Sequence, residues 1–544
     1  MPHTNSHSSA PASIKVAGST HTFSRNKMLL VLLVPLFMTL MQVSSINTAL
    51  SSIQISMDAS DSEIQWVISA YSLIIGIFLV PSGRLGDIFG RSAAFITGLS
   101  LFSLASLLIG FSTNALVMNL LRVMQGAGAG ILSPQTTGLI QEYFQGKDRA
   151  RAFSLFGLVI ATSVAAGPVM SGGLIALLGP EVGWRFSFWI NFPLGMLGVI
   201  LGCFWLPFGK ERRTIGKNAA NAELEYEALQ SASGQSFTRP VNMRSRVHDT
   251  AIQQESQSKH IAHTKVDLDP VGMILLAIAV LMVMIPFMIT AHPLVHLISL
   301  LGLLLLIGWI FWEKHYKERG RFPMVDLDLF RIETYRYSMA VIAIHFLGMT
   351  SVWAIFSIFL QNALGVTALE VGLISLPNAC LSAVASVLTG RYSLEHGRAI
   401  QVLALSTYTV GVLGCIGITW LIAFYEISFW WYIIPTLLIG LGAGAIGAAN
   451  QTTAMRDVPV KSGGTAGGVM QTGQRMTTAI GIALITAIFY AVRGPVDAPT
   501  SAPADAHWFA AVTAAFAAVA SIVTIANIVA IIFWRQGKRE LKVR

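Results

Sequence analysis

Three side chains able to hold or move charge fall inside long apolar runs: Arg122, His345 and Arg475. An arginine in hydrocarbon keeps its charge, so it must meet a partner, face a wet cavity or snorkel to the surface. Arg122 lies about 10 Å below the nearer end of its run, at ~1.5 Å per residue. Its insertion costs at least ~2.5 kcal/mol. Arg475 lies about 18 Å from an end, near mid-membrane, in a run that also holds Gln471 and Gln474. His345 is the one histidine well inside a run. It is either a proton carrier, with an ordinary pKa near ~6.5, or a neutral ring bonded to a backbone carbonyl. None of the 27 acidic residues lies deep in a run, and Glu63, Glu370, Asp269 and Glu313 come nearest, at the ends. An interior of this kind disfavours organic cations and tolerates neutral or anionic amphiphiles. A second group of charges, Arg84, Asp87 and Arg91, is packed into the ten residues Gly83-Arg-Leu-Gly-Asp-Ile-Phe-Gly-Arg-Ser92. Apolar runs flank that stretch on both sides, which makes it a tight polar turn whose charges need partners.

Apolar helices must position these residues. Of 544 residues, 12% are charged and 54% apolar, and the mean hydropathy is +0.64. Soluble proteins carry about 25% charged residues, so this is an all-α integral membrane protein. Cys203, Cys380 and Cys415 lie in or beside apolar segments and form neither a disulfide framework nor a metal cluster. Phosphate loop, zinc spacing and nucleophile elbow are all absent, so nothing points to ATP hydrolysis or to covalent catalysis. No cofactor or metal is expected, and the chain does not read as an enzyme.

Fourteen spans run from 28–50 to 507–534. With both termini in the cytoplasm, 32 of the 36 Lys and Arg fall on the cytoplasmic side, two (Arg185 and Arg493) outside and two within spans. The net charge of +9 therefore reports topology, by the positive-inside rule, and not a nucleic-acid patch. Gly390-Arg391 and Gly397-Arg398 repeat the ends of the first turn 307 residues later, with Leu394 where Asp87 stands. Gly126-Ala-Gly-Ala129 with Gln135-Thr-Thr137 returns as Gly442-Ala-Gly-Ala445 with Gln451-Thr-Thr453, offset by 316. Two matches in one order argue for duplicated halves. The expected organisation is a disordered cytoplasmic segment 1–27, a six-span bundle 28–207 and a cytoplasmic linker 208–268. A two-span insert 269–315, a second six-span bundle 334–534 and a basic tail 535–544 follow.

The turn at 83–92 resembles the signature between the second and third helices of the major facilitator superfamily. Gly167-Pro168-Val-Met-Ser171-Gly172-Gly173, Trp184-Arg185-Phe-Ser-Phe188-Trp-Ile-Asn191-Phe-Pro193-Leu-Gly195, and Arg122 with Gln125 sharpen the resemblance. They are similar to the fourteen-span drug–proton antiporter branch, over about 28–535 apart from the linker. Ser171 moves that branch's glycine pair one place on. Its Arg–Gln pair in span thirteen stands here in reverse order, which turns the charge by about 100° around the helix.

The resemblance implies an exporter of small amphiphilic molecules in the plasma membrane, working by alternating access and driven by the proton gradient. Its substrate cavity would be lined by Gln42, Arg122, Gln125, His345, Gln471, Gln474 and Arg475. Gly83, Arg84, Asp87, Gly90 and Arg91 would form the conformational switch, and Gly167, Pro168, Gly172 and Gly173 the antiporter-type helix element. Where the family carries a proton-binding aspartate in span one, this chain has Gln42, which cannot titrate. That departure leaves two alternatives standing: a proton-independent facilitator or exporter of anionic or neutral metabolites or lipids, and a membrane sensor that kept the fold without transport. The expected partners are a small-molecule substrate, the lipid bilayer and protons, with no nucleic acid.

Overall fold

The computed structural model describes residues 13–15, 22–208, 269–288, 296–321, 323–494 and 504–543. The linker at 209–268 lies outside them. A short antiparallel pair, Ser13–Lys15 with Thr22–Ser24, leads into the first helix. The helices are α1 (Arg25–Met57), α2 (Asp61–Phe89), α3 (Arg91–Gly110), α4 (Ala115–Tyr143), α5 (Gly146–Leu178), α6 (Pro180–Trp189) and α7 (Asn191–Trp205). After the linker come α8 (Pro270–Met288) and α9 (His296–Glu318). The second half holds α10 (Glu333–Asn362), α11 (Ala368–Tyr425), α12 (Ile433–Ala454), α13 (Gly463–Arg493) and α14 (Ala504–Val543). Eleven helical segments among the described residues are long and apolar enough to cross a membrane. In lipid only an element that bonds its own backbone can do so, which is why nearly all apolar residues here are helical.

The ends of the helices follow from local chemistry. Asp58 closes α1 in the left-handed region, φ 48°, its N–H reaching the Gln54 and Ile55 carbonyls. Ser60 and Glu63 then form a reciprocal capping box at the start of α2. The Ser60 donors hold the Glu63 carboxyl below the usual carboxylate range.

Two expected turns are helical. α2 continues through Gly83 and Asp87 to Phe89, and only Gly90 leaves it, at φ 121° and ψ 122°. The reason is the spacing of the charges: Asp87 and Arg91 stand four apart and pair across that break. The second copy is likewise drawn into α11, where His396 alone departs from helical dihedrals, at φ −119° and ψ 16°. Before α7 stands the short helix α6, which ends at Ile190.

α1–α7 and α10–α14 pack as two bundles. They meet along two seams, α2 against α13 and α5 against α11. The α8–α9 pair covers the first seam. Leu276, Val280 and Met284 of α8 share one buried cluster with Leu73 and Val80 of α2 and Ala479 of α13. The second seam has no such cover from the described helices.

Candidate functional site

Asp87 projects from the last turn of α2 onto the first turn of α13, in the other bundle. Its carboxylate accepts from Gly464 N–H (3.2 Å), Thr465 N–H (2.9 Å) and Thr465 Oγ1–H (2.8 Å). Those N–H groups have no partner within their own helix, and an anion there also meets the positive end of the helix dipole. On its other side Asp87 receives Arg91 Nε at 2.8 Å and Nη2 at 2.7 Å. Arg91, 2% exposed, also donates to the Gly138 carbonyl (2.6 Å), to Glu142 (3.0 Å) and, across the seam, to the Val460 carbonyl (2.5 Å). Gln141 adds bonds to the Met455 and Val458 carbonyls. A β-carbon on Gly83 would come within 2.6 Å of the Gly464 carbonyl oxygen, so the two helices touch backbone to backbone. Arg84 is half-buried beside this clamp, its Nε without a hydrogen-bond partner.

Deeper in the first bundle lies a polar network with no carboxylate among its named members. The Arg122 guanidinium stacks on the Tyr71 ring, 4.2 Å from its centroid. It donates to the Val67 carbonyl (2.8 Å) and to Gln125 Oε1 (2.7 Å), and Gln125 passes the chain to Ser106 Oγ (2.7 Å). Tyr71 donates to the Thr39 carbonyl at 3.0 Å. Gln42 accepts from Asn191 Nδ2 at 2.7 Å, and its own Nε2 finds no partner.

These positions redraw the expected cavity. Gln42, Arg122, Gln125 and His345 are all 1% exposed or less, so in this conformation none of them faces an open space. Arg122 is satisfied by a carbonyl, an amide and an aromatic face inside the bundle instead of by water. Gln42 is tied to α7, and no hydrogen bond joins it to Arg122 among the described residues. Gln471, Gln474 and Arg475 are half-buried, and they share a face of α13. His345 packs edge-on against Tyr408 (5.0 Å) and Phe346 (6.1 Å), and neither ring nitrogen has a partner. In the glycine element only Gly167 is held by a close approach, against Ser44, Ser45 and Met41 of α1. Gly172 has Thr48 at ordinary contact, Gly173 borders open space, and Pro168 lies within α5.

A family model, that of the Major Facilitator Superfamily, matches residues 32–312 and 338–543. The chain belongs to the Major Facilitator Superfamily. It is 26% identical over 471 residues to a probable actinorhodin transporter of Streptomyces coelicolor, covering 84% of this chain and 71% of that one. It is also 26% identical to the multidrug resistance protein Stp of Mycobacterium tuberculosis (84% and 74% covered) and to a puromycin resistance protein of Streptomyces alboniger (85% and 81%). Among solved structures, the human organic anion transporter MFSD10 superposes with a TM-score of 0.59 at 13% identity, over 93% of this chain and 99% of that one. A proton:xylose symporter, XylE, gives the same score at 14% identity, over 94% and 95%. The chain is therefore a multi-pass transporter of small molecules with the superfamily fold.

Several members of the candidate site were missed in the sequence. Glu142, Gln141, Gly464 and Thr465 complete the clamp, and Tyr71 stacks on Arg122. The small-residue run Gly463-Gly-Thr-Ala-Gly-Gly468 was the available signal, since only such a run lets α2 lie against α13 this closely.

Proposed function

We propose that the protein exports small amphiphilic molecules by alternating access, and that its interior favours neutral and anionic ones. The observation that carries the reading is the Asp87–Thr465 clamp. It joins the two bundles by bonds that one rigid-body rotation would break together. The preference in charge follows from Arg122 and Arg475 lying inside the apolar spans, in none of which an acidic residue lies deep. Drug and antibiotic exporters among the relatives support the same substrate class.

In this reading the chain crosses the membrane fourteen times. α11, at about 87 Å for its 58 residues, is far longer than one ~30 Å core and counts twice, and α5 and α8 add two crossings to the eleven apolar segments. The clamp then lies on the cytoplasmic face of the plasma membrane, a placement that the positive-inside distribution of Lys and Arg supports.

The proton gradient drives export in the first form of this proposal. One observation favours a second form without protons: the amide at Gln42, fixed by Asn191, replaces the titrating group that the family would use. Substrate accumulation in inverted vesicles, with and without a pH gradient, separates the two. Accumulation that needs an acidic lumen supports proton drive, and equal accumulation in both supports the second form. No uptake of any amphiphile above protein-free vesicles would overturn export itself.

A further inference from the structure

The second copy of the Gly-Arg turn has Leu394 where Asp87 stands, the exposed Glu395 of its helix forms no ion pair with Arg391 among the described residues, and the clamp does not use this copy. Its Arg391 lines a cavity of about 560 Å³ between the bundles, on the seam that α8 and α9 leave uncovered. Lys147 and Arg151 of α5 line the other wall. The one acid there, Asp148, is engaged by Arg25. No carboxylate pairs with Lys147, Arg151 or Arg391 among the described residues, and all three are exposed. Arg149 takes no part, because its Nε donates to the Phe144 carbonyl. The cavity therefore gathers three unmatched cations from two bundles that rock against each other.

Its floor and flank are apolar. Leu155 and Val387 close it from below, where Ser154 and Ser386 exchange hydrogen bonds across the seam at 2.7 and 2.9 Å. Along α11, Leu388 and Val384 lie one and two turns from Arg391 and are 51% and 52% exposed. A free anion would answer the cations and leave that strip bare. A phospholipid satisfies both, with its phosphate on the guanidinium groups and its chains along the strip.

We propose that this cavity binds the headgroup of an anionic phospholipid from the leaflet on the Asp87 side, with the phosphate bridging Arg151 and Lys147 of one bundle to Arg391 of the other. Rocking apart at this end separates the two walls, so the lipid binds the clamped state more tightly and shifts the population toward it.

The test is thermal unfolding of the full chain in detergent, titrated with phosphatidylglycerol, phosphatidylcholine or glycerol phosphate. Wild type should gain stability with phosphatidylglycerol, well beyond the gain with phosphatidylcholine. Arg391→Gln, and Lys147→Gln with Arg151→Gln, should each lose most of that difference relative to their own lipid-free baselines, and Arg391→Lys should keep it. Because the three side chains are exposed, these variants are expected to fold. An equal response to the two lipids, or variants that respond like wild type, would overturn the headgroup site. Stabilisation by glycerol phosphate as large as that by the lipid would overturn the lipid in favour of a free anion.

Discussion

Replacing Asp87 by Asn keeps its shape and removes the charge that holds the bundles together at one end. Three hydrogen bonds cross the seam to this carboxylate. A bond to a charged acceptor contributes ~1.5–3 kcal/mol and a neutral one ~0.5–1.5. Asparagine has a single acceptor oxygen, so the two Thr465 bonds each lose about 1 kcal/mol and the Gly464 bond, worth about 2 kcal/mol, is lost outright. The clamped state then loses about 4 kcal/mol, which shifts the equilibrium toward the opened state by about 10³-fold. Arg91 keeps Gly138 and Glu142 within its own bundle, so the first bundle should stay folded. The assay is a spin-label distance between Lys147→Cys and Lys461→Cys, one on each bundle, with the three native cysteines replaced. Wild type should show one dominant short distance, and Asp87→Asn a large added population at longer distance. Transport should fall while substrate affinity stays near normal. An unchanged distance distribution accompanied by lost binding would refute the clamp and make Asp87 a substrate ligand.

Gly83→Ala places a β-carbon against the Gly464 carbonyl and should open the same end with every charge intact. Combined with Asp87→Asn it should add little, and full additivity of the two in the distance assay would show that they act separately. Gln42→Asp restores the titrating group of the family and removes the unpartnered Nε2. It should confer ethidium efflux that a protonophore abolishes, whereas strong protonophore-sensitive efflux by wild type would place the proton site elsewhere. His345→Gln should leave the pH profile of transport unaltered, because the ring is sealed between Tyr408 and Phe346. A flattened profile would make it the proton carrier.

The membrane fold and its two-half plan were legible because apolar length and repeated motifs are properties of the chain itself. Asp87 and Arg91 stood out for a related reason: charges packed into a short stretch between two apolar runs need partners. Their partners were not, since Gly464 and Thr465 lie more than 370 residues away and show themselves only as small residues. Burial misled most at Arg122 and Gln42. A charge or amide in an apolar run reads as cavity-lining, yet here Tyr71, Val67 and Asn191 from neighbouring helices, and Gln125 from Arg122's own, supply what water would otherwise provide. Helix continuation through the turn at 83–89 was hidden as well, because glycines and charges signal a loop unless their i,i+4 pairing is already known.

The most direct test of the account is uptake into inverted vesicles of matched amphiphilic dyes that differ only in charge. Wild type should accumulate the neutral and anionic dyes and leave the cationic one near the level of protein-free vesicles, and Asp87→Asn should abolish the accumulation while retaining dye binding. Preferential uptake of the cationic dye by wild type would contradict an interior set by Arg122 and Arg475.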